Sequence, residues 1–543
     1  MAAEVIGILG IVGVIDVCVQ WGKKLVATCK AYRHSEAQLD ESITRLENRW
    51  LRIDEQLQML RKMDPLLRDD HRNVQQRTLE IVMDKLKAAV SRLEDLVDKP
   101  DAPDAKPEVK KLKYALFKSK VAEAISELEQ WQQIFDPSWF LMLKIADTQV
   151  DSLLAAAAAS AEKAPSSSTS LPAAQSMRRV IHHSPVNIAS PNAMTFKGLE
   201  PGSICPIPFS TTSTALRAGT QQLVLLDPVA CASGTSADAM ARGIQGFAFS
   251  LRRADPLTSG LLSCKGILNA DQNDASAAAE TTSLSNSTGL AFIFRLPDTH
   301  PNPESLRSRL LGGPDRAHDS LSERLALARR MAAAVSYVHL YGFVHKNIRP
   351  ETILLLHRSP PGQGGGGLAG ETAALVGFDV LRDAEGSTSR VGDDDWEKNL
   401  YRHPQRQGVA LQFDYEMRHD IYSLGVCLLE VGLWASFVDY YGTGDGRPGL
   451  GPGLGVSGDY LTGTELLKDP EKVRERLLSL ARSPPLRRQM GTLYAKVVET
   501  CLTCLERDNV DFGDEKEFHG GDGVAVGVRY IKKVVVRLGE INV

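Results

Sequence analysis

The stretch Val344-His345-Lys346-Asn347-Ile348-Arg349-Pro350-Glu351-Thr352 lies beyond the midpoint of a 543-residue chain and decides how the second half is interpreted. Upstream of it, Ser320-Leu321-Ser322-Glu323 has the form of a capping box, and apolar residues follow at helical spacing up to Val338. Downstream, Ile353-Leu354-Leu355-Leu356 indicates a short buried strand. The sequence therefore predicts a helix, a polar loop and a strand in succession.

Three further motifs follow this loop along the chain. Ala374-Leu375-Val376 predicts a second short strand, and Gly377-Phe378-Asp379 comes directly after it. Next come Tyr401-Arg402-His403-Pro404-Gln405 and Arg418-His419-Asp420-Ile421-Tyr422-Ser423-Leu424-Gly425-Val426-Cys427-Leu428-Leu429-Glu430. In order and approximate spacing, the four motifs resemble the catalytic loop, metal-binding motif, activation-segment end and central helix of protein kinases. The resemblance implies an α+β kinase-like fold.

The catalytic groups of a kinase are replaced in this sequence. A kinase loop carries an Asp that accepts the proton of the attacking hydroxyl and an Asn that ligates magnesium. Asn347 and Thr352 stand at those positions, and Gly377 stands where the second metal-binding residue is expected. An amide cannot accept a proton as a carboxylate does. The resemblance therefore implies a pseudokinase without catalytic or metal-binding residues, whose degenerate positions are His345, Asn347, Arg349, Thr352, Gly377 and Phe378.

The nucleotide-binding features are also missing. The best candidate for the strand that carries the phosphate-binding lysine is Gln222–Asp227, which contains no lysine, and no glycine-rich motif precedes it. Ala237 to Arg253 is the candidate helix beside it, with strands expected near Leu261 to Leu268 and Gly289 to Leu296, and this helix offers no acidic residue in its middle. The run Gly364 to Gly367 fits a hairpin insertion better than a phosphate cradle. We expect no cofactor.

The resemblance also assigns structural positions. It implies that Asp420 accepts hydrogen bonds from the backbone of the catalytic-loop motif, and that His345 packs in the core. Pro404 and Gly425 are the other two positions that it assigns to the fold, and Gln405 replaces a usual Glu.

Composition limits the remaining classes of function. The formal net charge is −4 and the pI is near 6.3, which gives no indication of nucleic-acid binding. The eight cysteines are scattered, which fits a reducing cytosol better than a disulfide framework. Cys501 and Cys504 form a Cys-x-x-Cys motif without a second ligand pair, so core packing is favoured over a zinc site.

Composition also divides the chain. Ala155 to Ala159 and the Ser-rich stretch Ser166 to Ser170 open a region rich in Ala, Ser and Pro that cannot bury enough apolar surface to offset ordering entropy. The sequence predicts three parts: a helical region over 1–160, a mobile linker over 161–219 and the kinase-like region over 220–543.

The first 160 residues predict an all-α helical bundle. Ser35-Glu36-Ala37-Gln38 has the form of a capping box, and breaks are expected at Asp64-Pro65 and Asp136-Pro137. A fourth helix is expected from Trp139 to Leu154. Apolar residues at spacings of three and four form three seams: Leu39, Ile43, Leu46, Trp50, Ile53, Leu57 and Leu60; Leu79, Val82, Leu86, Val90, Leu93 and Leu96; Val121, Ile125, Leu128, Trp131 and Phe135.

The N-terminal apolar run has two interpretations. Val5 to Ile15 is shorter than the roughly twenty residues of a membrane span, and Glu4 precedes it without a basic segment, so we expect no secretory signal peptide. Physical reasoning favours a helix buried in the bundle core. The alternative is a membrane segment formed by Val5, Ile6, Ile8, Leu9, Ile11, Val12, Val14 and Ile15.

The start Met1-Ala2-Ala3-Glu4-Val5-Ile6-Gly7-Ile8-Leu9-Gly10-Ile11-Val12-Gly13, followed by a capped helical bundle, resembles the HeLo and HeLo-like domains of fungal heterokaryon-incompatibility and prion-inhibition proteins. Those domains are membrane-targeting effectors of programmed cell death. A bundle joined to a pseudokinase is also similar in architecture to the mixed lineage kinase domain-like executors of animal necroptosis.

The resemblance implies a non-catalytic signalling protein whose pseudokinase controls a self-associating bundle. Its expected partners are other copies of itself, an upstream receptor or regulator protein and membrane lipids. The expected location is the cytoplasm, with relocation to the plasma membrane on activation. Two alternatives stay open: a pseudokinase interaction scaffold without membrane activity, and an unconventional ATP-binding kinase.

Overall fold

The computed structural model describes residues 10–31, 37–67, 69–95, 111–145, 149–161, 178, 196, 198–229, 237–254, 256–269, 290–312, 320–357, 371–378, 394–408, 413–440, 448–455, 466–512 and 524–541. The chain divides into two compact units, Met1–Arg179 and Val180–Val543. The first is helical, and the second combines helices with small antiparallel sheets.

Long helices form the first unit. The elements are α1 (Ile11–Lys30), α2 (Ala37–Met63), a 3-10 turn (Asp64–Leu66), α3 (Asp69–Glu94), α4 (Lys111–Ile145) and α5 (Gln149–Ala161). Both α1 and α4 pack against α2 and α3, and α5 packs against α2. The predicted break at Asp64-Pro65 is confirmed, because the 3-10 turn separates α2 from α3. The predicted capping box before α2 begins outside the described residues.

The predicted seams form the core of this unit. All seven seam residues of α2 and all five of the third seam, on α4, are at most 6 % exposed. In α3, Leu79, Val82, Leu86, Val90 and Leu93 are equally buried, and Leu96 lies outside the described residues. Periodic apolar spacing therefore identified the faces on which these helices pack.

The predicted break at Asp136-Pro137 is wrong, because α4 continues through Pro137 to Ile145. Proline removes one helical hydrogen bond, but side chains of neighbouring helices support this turn. The fully buried Asp136 carboxylate accepts from Arg52 Nη2 and Gln56 Nε2, both at 2.8 Å, and Gln75 Nε2 donates to the Ser138 carbonyl at 3.0 Å. The predicted fourth helix is consequently divided between the end of α4 and α5.

A five-stranded antiparallel sheet begins the second unit. Its strands have the order β1-β2-β3-β5-β4, and helix α6 follows the third strand. The elements are β1 (Cys205–Pro206), β2 (Ser213–Leu216), β3 (Leu223–Pro228), α6 (Ala237–Ser250), α7 (Pro256–Ser259), β4 (Ser263–Asn269) and β5 (Leu290–Arg295). The predicted strands and helix between Gln222 and Leu296 are confirmed within a few residues.

The predicted linker extends too far, because β1 and β2 lie within 161–219. Ser213 to Leu216 pairs with Leu223 to Leu226 of β3, and Thr212, Ser213 and Ala215 are at most 2 % exposed. Ser and Thr here satisfy their polar groups in strand pairing and turns, for which composition alone gives no signal. Between residues 161 and 196 the structure describes only Arg178.

The rest of the second unit is mainly helical around a small sheet of order β6-β7-β8. The elements are β6 (Asn302–Ser305), α8 (Leu306–Leu311), α9 (Leu321–Leu340), β7 (Ile353–His357), β8 (Glu371–Leu375), α10 (Trp396–Asn399), α11 (Met417–Leu433), β9 (Val438–Asp439), β10 (Gly449–Leu450), α12 (Pro470–Ala481), α13 (Pro484–Leu502), α14 (Val524–Tyr530), a π-helical turn (Ile531–Val535) and α15 (Val536–Glu540).

Local signals predicted two features of this region correctly. The capping box of α9 is confirmed, because Ser320 and Glu323 each accept a hydrogen bond from the other's backbone N–H. Cys501 and Cys504 are fully buried within and just after α13, where burial raises the pKa of both thiols. Gly425 permits the close approach of α11 to α13, since a Cβ there would lie 2.7 Å from the Cys501 Cβ.

Candidate functional site

Asp420 of α11 anchors the loop between α9 and β7. This fully buried carboxylate accepts from the backbone N–H groups of His345 at 2.7 Å and Lys346 at 2.9 Å, from His339 Nε2 at 3.0 Å and from the Tyr415 hydroxyl at 2.7 Å. Burial alone would raise the pKa of Asp420, but the interactions with His339, His345 and Tyr415 lower it to about 2. The backbone partners are those that the kinase resemblance assigned to Asp420.

His345 is a neutral core residue. Its Nε2 lies 3.0 Å from the Val376 carbonyl and therefore donates, so Nδ1 is the acceptor for the Asn347 N–H at 3.3 Å. Burial lowers the pKa of His345 to about 4. Both ring nitrogens have partners within the fold, so this imidazole is not available as a general base in the arrangement observed.

One polar cluster brings together four of the six degenerate positions, namely Asn347, Arg349, Thr352 and Gly377. Asn347 Nδ2 donates to the Gly377 carbonyl at 3.1 Å, and Asn347 Oδ1 accepts from Arg349 Nε at 2.9 Å. The Thr352 hydroxyl lies 2.7 Å from the Asn347 carbonyl and 3.0 Å from that of Arg349. The cluster joins the loop to the segment after β8, and none of its three side chains, those of Asn347, Arg349 and Thr352, is a carboxylate.

Gly377 is locked in a conformation that excludes a side chain. Its φ is +73°, a region that L-residues rarely adopt, and a Cβ built there would lie 2.4 Å from Thr352 Cγ2. A metal-binding carboxylate at position 377 would therefore require both Gly377 and Thr352 to move. Among the described residues, no group of three or more His, Cys, Asp or Glu side chains could hold a metal ion.

Phe378 fills the space next to this cluster. Its ring lies 4.6 Å from that of Phe247 on α6, 4.7 Å from the imidazole of His345 and 6.3 Å from the ring of Phe294 on β5. Phe378 thus bridges the five-stranded sheet, helix α6 and the loop. Asp379, the last residue of this motif, lies outside the described residues, as does the run Gly364 to Gly367.

Asp227 was not identified from the sequence. It is fully buried on β3, and its Oδ2 accepts from the backbone N–H of Gly377 at 2.8 Å and of Phe378 at 3.5 Å. The available signal was a single charge in the apolar run Leu223-Val224-Leu225-Leu226-Asp227, since an isolated buried charge requires a partner.

A hydrogen bond and a ring contact attach the turn between β1 and β2 to the rest of the second unit. The Ser305 hydroxyl donates to the Pro208 carbonyl at 2.7 Å. Phe209, with φ of +52°, places its ring 5.2 Å from that of Tyr440, whose hydroxyl donates to Glu351 at 3.1 Å. These contacts attach the turn to the second sheet and to the segment after α11.

A buried ion network is centred on Arg307, and it was not predicted from the sequence. The guanidinium of Arg307, on α8, donates to Glu351 and Glu430 at 3.0 Å each, to the Ser436 hydroxyl and to the Tyr401 hydroxyl. Burial raises the pKa of Glu430. Burial acts in the same direction at Glu351, but the charge of Arg307 outweighs it and the pKa of Glu351 is lowered. The network joins five segments and has no opening to solvent at its arginine, which is 0 % exposed.

The stretch from Tyr401 to Gln405 is partly in the core, because Tyr401 and His403 are buried and the other three residues are half-buried. Pro404 opens a 3-10 turn over Pro404–Arg406, and His403 Nδ1 caps it by accepting from the Gln405 N–H at 3.3 Å. Burial lowers the pKa of both His403 and His419 to about 3, with nearby arginines acting in the same direction. These groups stabilise the fold around α11.

The candidate membrane segment is partly in the core of the first unit. Ile11, Val14 and Ile15 on α1 are at most 2 % exposed, whereas Val12 is half-buried. Val5, Ile6, Ile8 and Leu9 lie outside the described residues. Among the helices that the structure describes, none has the length and apolar character required to cross a bilayer.

Comparison with known proteins adds no assignment. The sequence matches no protein-family model, and a search of the curated proteins returned no significant relative.

Proposed function

We propose that this protein is a non-catalytic signalling protein in which a degenerate kinase-like unit controls a HeLo-like helical bundle, as in fungal heterokaryon incompatibility and regulated cell death. The observation that carries the proposal is the cluster of Asn347, Thr352 and Gly377. Groups at the positions of a kinase's base and metal ligands hydrogen-bond one another and cannot perform phosphoryl transfer. This arrangement supports a unit that keeps a kinase-like fold without the chemistry of a kinase.

Two further observations support a kinase-like origin for the second unit. An antiparallel sheet whose third strand is followed by a helix is the arrangement on which kinases place their phosphate-binding lysine and its glutamate partner. Asp420 anchors the loop backbone through two amides, so the loop keeps its shape without a catalytic residue. A binding or relay role needs this shape but not the chemistry.

The effector part of the proposal requires α1 to leave its present position. Burying each apolar side chain such as Ile11, Val14 or Ile15 stabilises the unit by about 1.5–3 kcal/mol, which insertion into lipid must offset. We propose that self-association or an upstream regulator supplies this, and that the protein then moves from the cytoplasm to the plasma membrane. The burial of α1 favours the second candidate, a pseudokinase scaffold that binds proteins only.

Catalysis is tested with the purified full-length protein and radiolabelled ATP. We expect no phosphoryl transfer to the protein itself or to a generic protein substrate, with magnesium or with manganese. The positive control is an active kinase that labels itself and the same substrate under these conditions. Robust transfer that is lost in Arg349→Ala would overturn the pseudokinase proposal and favour an unconventional kinase.

Membrane activity is tested by co-sedimentation of the full-length protein with neutral and anionic liposomes. Val12→Lys should weaken binding by about 2.5–3.5 kcal/mol if α1 inserts, since it places a charge in the apolar segment. Gln20→Lys adds the same charge at an exposed position of α1, beyond Val19, and should bind like the parent. Cooperative melting of both variants controls for folding. A parent that never partitions, even when oligomerised through a fused tag, would establish the scaffold alternative.

A further inference from the structure

Asp227 occupies a position that is unfavourable for a carboxylate. It follows Leu225 and Leu226 on β3, all three are at most 2 % exposed, and its register partner on β5 is Phe292. A carboxylate removed from water in this way is stable only where hydrogen-bond donors replace the water. The backbone amides of Gly377 and Phe378 are such donors.

The two amides form an anion-binding nest. They are consecutive in the chain, and both point at the same oxygen, Asp227 Oδ2, at 2.8 and 3.5 Å. Successive backbone N–H groups turned to one side by a positive φ create a concavity that favours negative charge, and Gly377 has φ of +73°. A lysine at position 227 would present a donor to these donors. The nest and the carboxylate therefore belong together.

This contact joins two separate sheets. Asp227 belongs to the five-stranded sheet, whereas Gly377 and Phe378 follow β8 of the three-stranded sheet, 150 residues later in the chain. Phe378 then inserts its ring between Phe247 and His345. In a kinase the same gap, between the third strand and the metal-binding motif, is bridged by the phosphates and magnesium.

We propose that Asp227 is a built-in anion that holds this gap closed in place of a bound nucleotide. The closed arrangement is then a property of the chain and does not depend on a ligand. Phosphate groups are excluded from the nest because its two amides already donate to Asp227. The carboxylate of Asp227 would also repel a second negative charge. The contacts stand by themselves, and only the comparison with a nucleotide cleft rests on the proposed function.

The test measures hydrogen–deuterium exchange at Gly377 and Phe378 in the full-length protein. Asp227→Ala removes the acceptor of both amides, and a charged acceptor contributes enough that local opening should rise about 10- to 100-fold. Formate, which can occupy the vacated nest, should reverse most of the rise, whereas equal sodium chloride should not. Asp298→Ala removes an exposed carboxylate of the same unit and should exchange like the parent.

Each outcome decides the matter. Unchanged exchange at Gly377 and Phe378 in a folded Asp227→Ala protein would overturn the proposal. Should Asp227→Ala fail to fold, Asp227→Asn keeps the shape and one oxygen acceptor without the charge. Faster exchange in that variant, restricted to residues 377–378, supports the proposal, and parental exchange overturns it. Phosphoryl transfer by the parent would refute the proposed function while leaving the Asp227 contact intact, so the two failures are distinguishable.

Discussion

Replacing Asp420 by alanine should destabilise the second unit strongly, because one carboxylate serves four buried or half-buried donors. The substitution leaves the His345 and Lys346 amides, His339 Nε2 and the Tyr415 hydroxyl without this acceptor. Each unsatisfied buried donor costs about 1–3 kcal/mol, but the four share one site and their effects do not add. Loss of a buried charge with partners left behind costs about 3–5 kcal/mol, which is our expected loss of unfolding free energy.

The expected change in melting temperature is modest because the unit is large. Unfolding entropy near 2.1 cal/mol/K per residue over about 360 residues means that each kcal/mol lowers Tm by about 1.3 °C. Asp420→Ala should therefore lower Tm by about 4–7 °C, measured by differential scanning calorimetry of the full-length protein. Asp414→Ala, six residues earlier and exposed, is the matched control and should change stability by less than about 0.5 kcal/mol.

Asp420→Asn separates charge from shape. It keeps one oxygen acceptor for the loop amides but turns an NH2 group toward one of the four donors, so an intermediate loss is expected. Equal melting temperatures for Asp420→Ala and the parent would refute the reasoning, since the loop would then keep its shape without the carboxylate.

Two other predictions concern pH and Gly377. The pKa is lowered from 6.5 to about 4 for His345 and to about 3 for His403 and His419, so these groups are neutral in the folded state at pH values where the unfolded chain protonates them. The free energy of unfolding, measured with urea, should be highest above pH 6.5. It should fall by up to about 4 kcal/mol per pH unit as the pH is lowered from 6 to 4. A constant free energy of unfolding over that window would contradict the lowered pKa values of these histidines. Gly377→Ala should lower stability because of the positive φ and the contact with Thr352, and Gly342→Ala, also at positive φ but with open space around its Cβ, should cost less in the same unfolding assay.

Features encoded by neighbouring residues were predictable. The seam of α2 repeats apolar side chains every three or four positions, and all of its members are in the core. The capping box at Ser320 and Glu323 needs only four consecutive residues, and it forms as expected. In both cases the physical cause, helical periodicity or a local hydrogen bond, is contained in the segment itself.

Features that depend on distant partners were not predictable. α4 continues through Pro137 because Arg52, Gln56 and Gln75 reach it from two other helices. Similarly, β2 forms because β3 offers a pairing edge, although its own Ser- and Thr-rich sequence gives little signal. Asp227 and its two amide donors are separated by 150 residues, so that no local pattern relates them.

The buried Arg307 network also has a consequence for synthesis on the ribosome. Arg307 emerges long before its acceptors, since Glu430 follows it by 123 residues and Ser436 by 129. Until those residues have left the exit tunnel, the guanidinium cannot be buried without a large desolvation cost. The part of the second unit around Arg307 should therefore stay unfolded on the nascent chain and fold in a late step. A chaperone has most opportunity to bind it before that step.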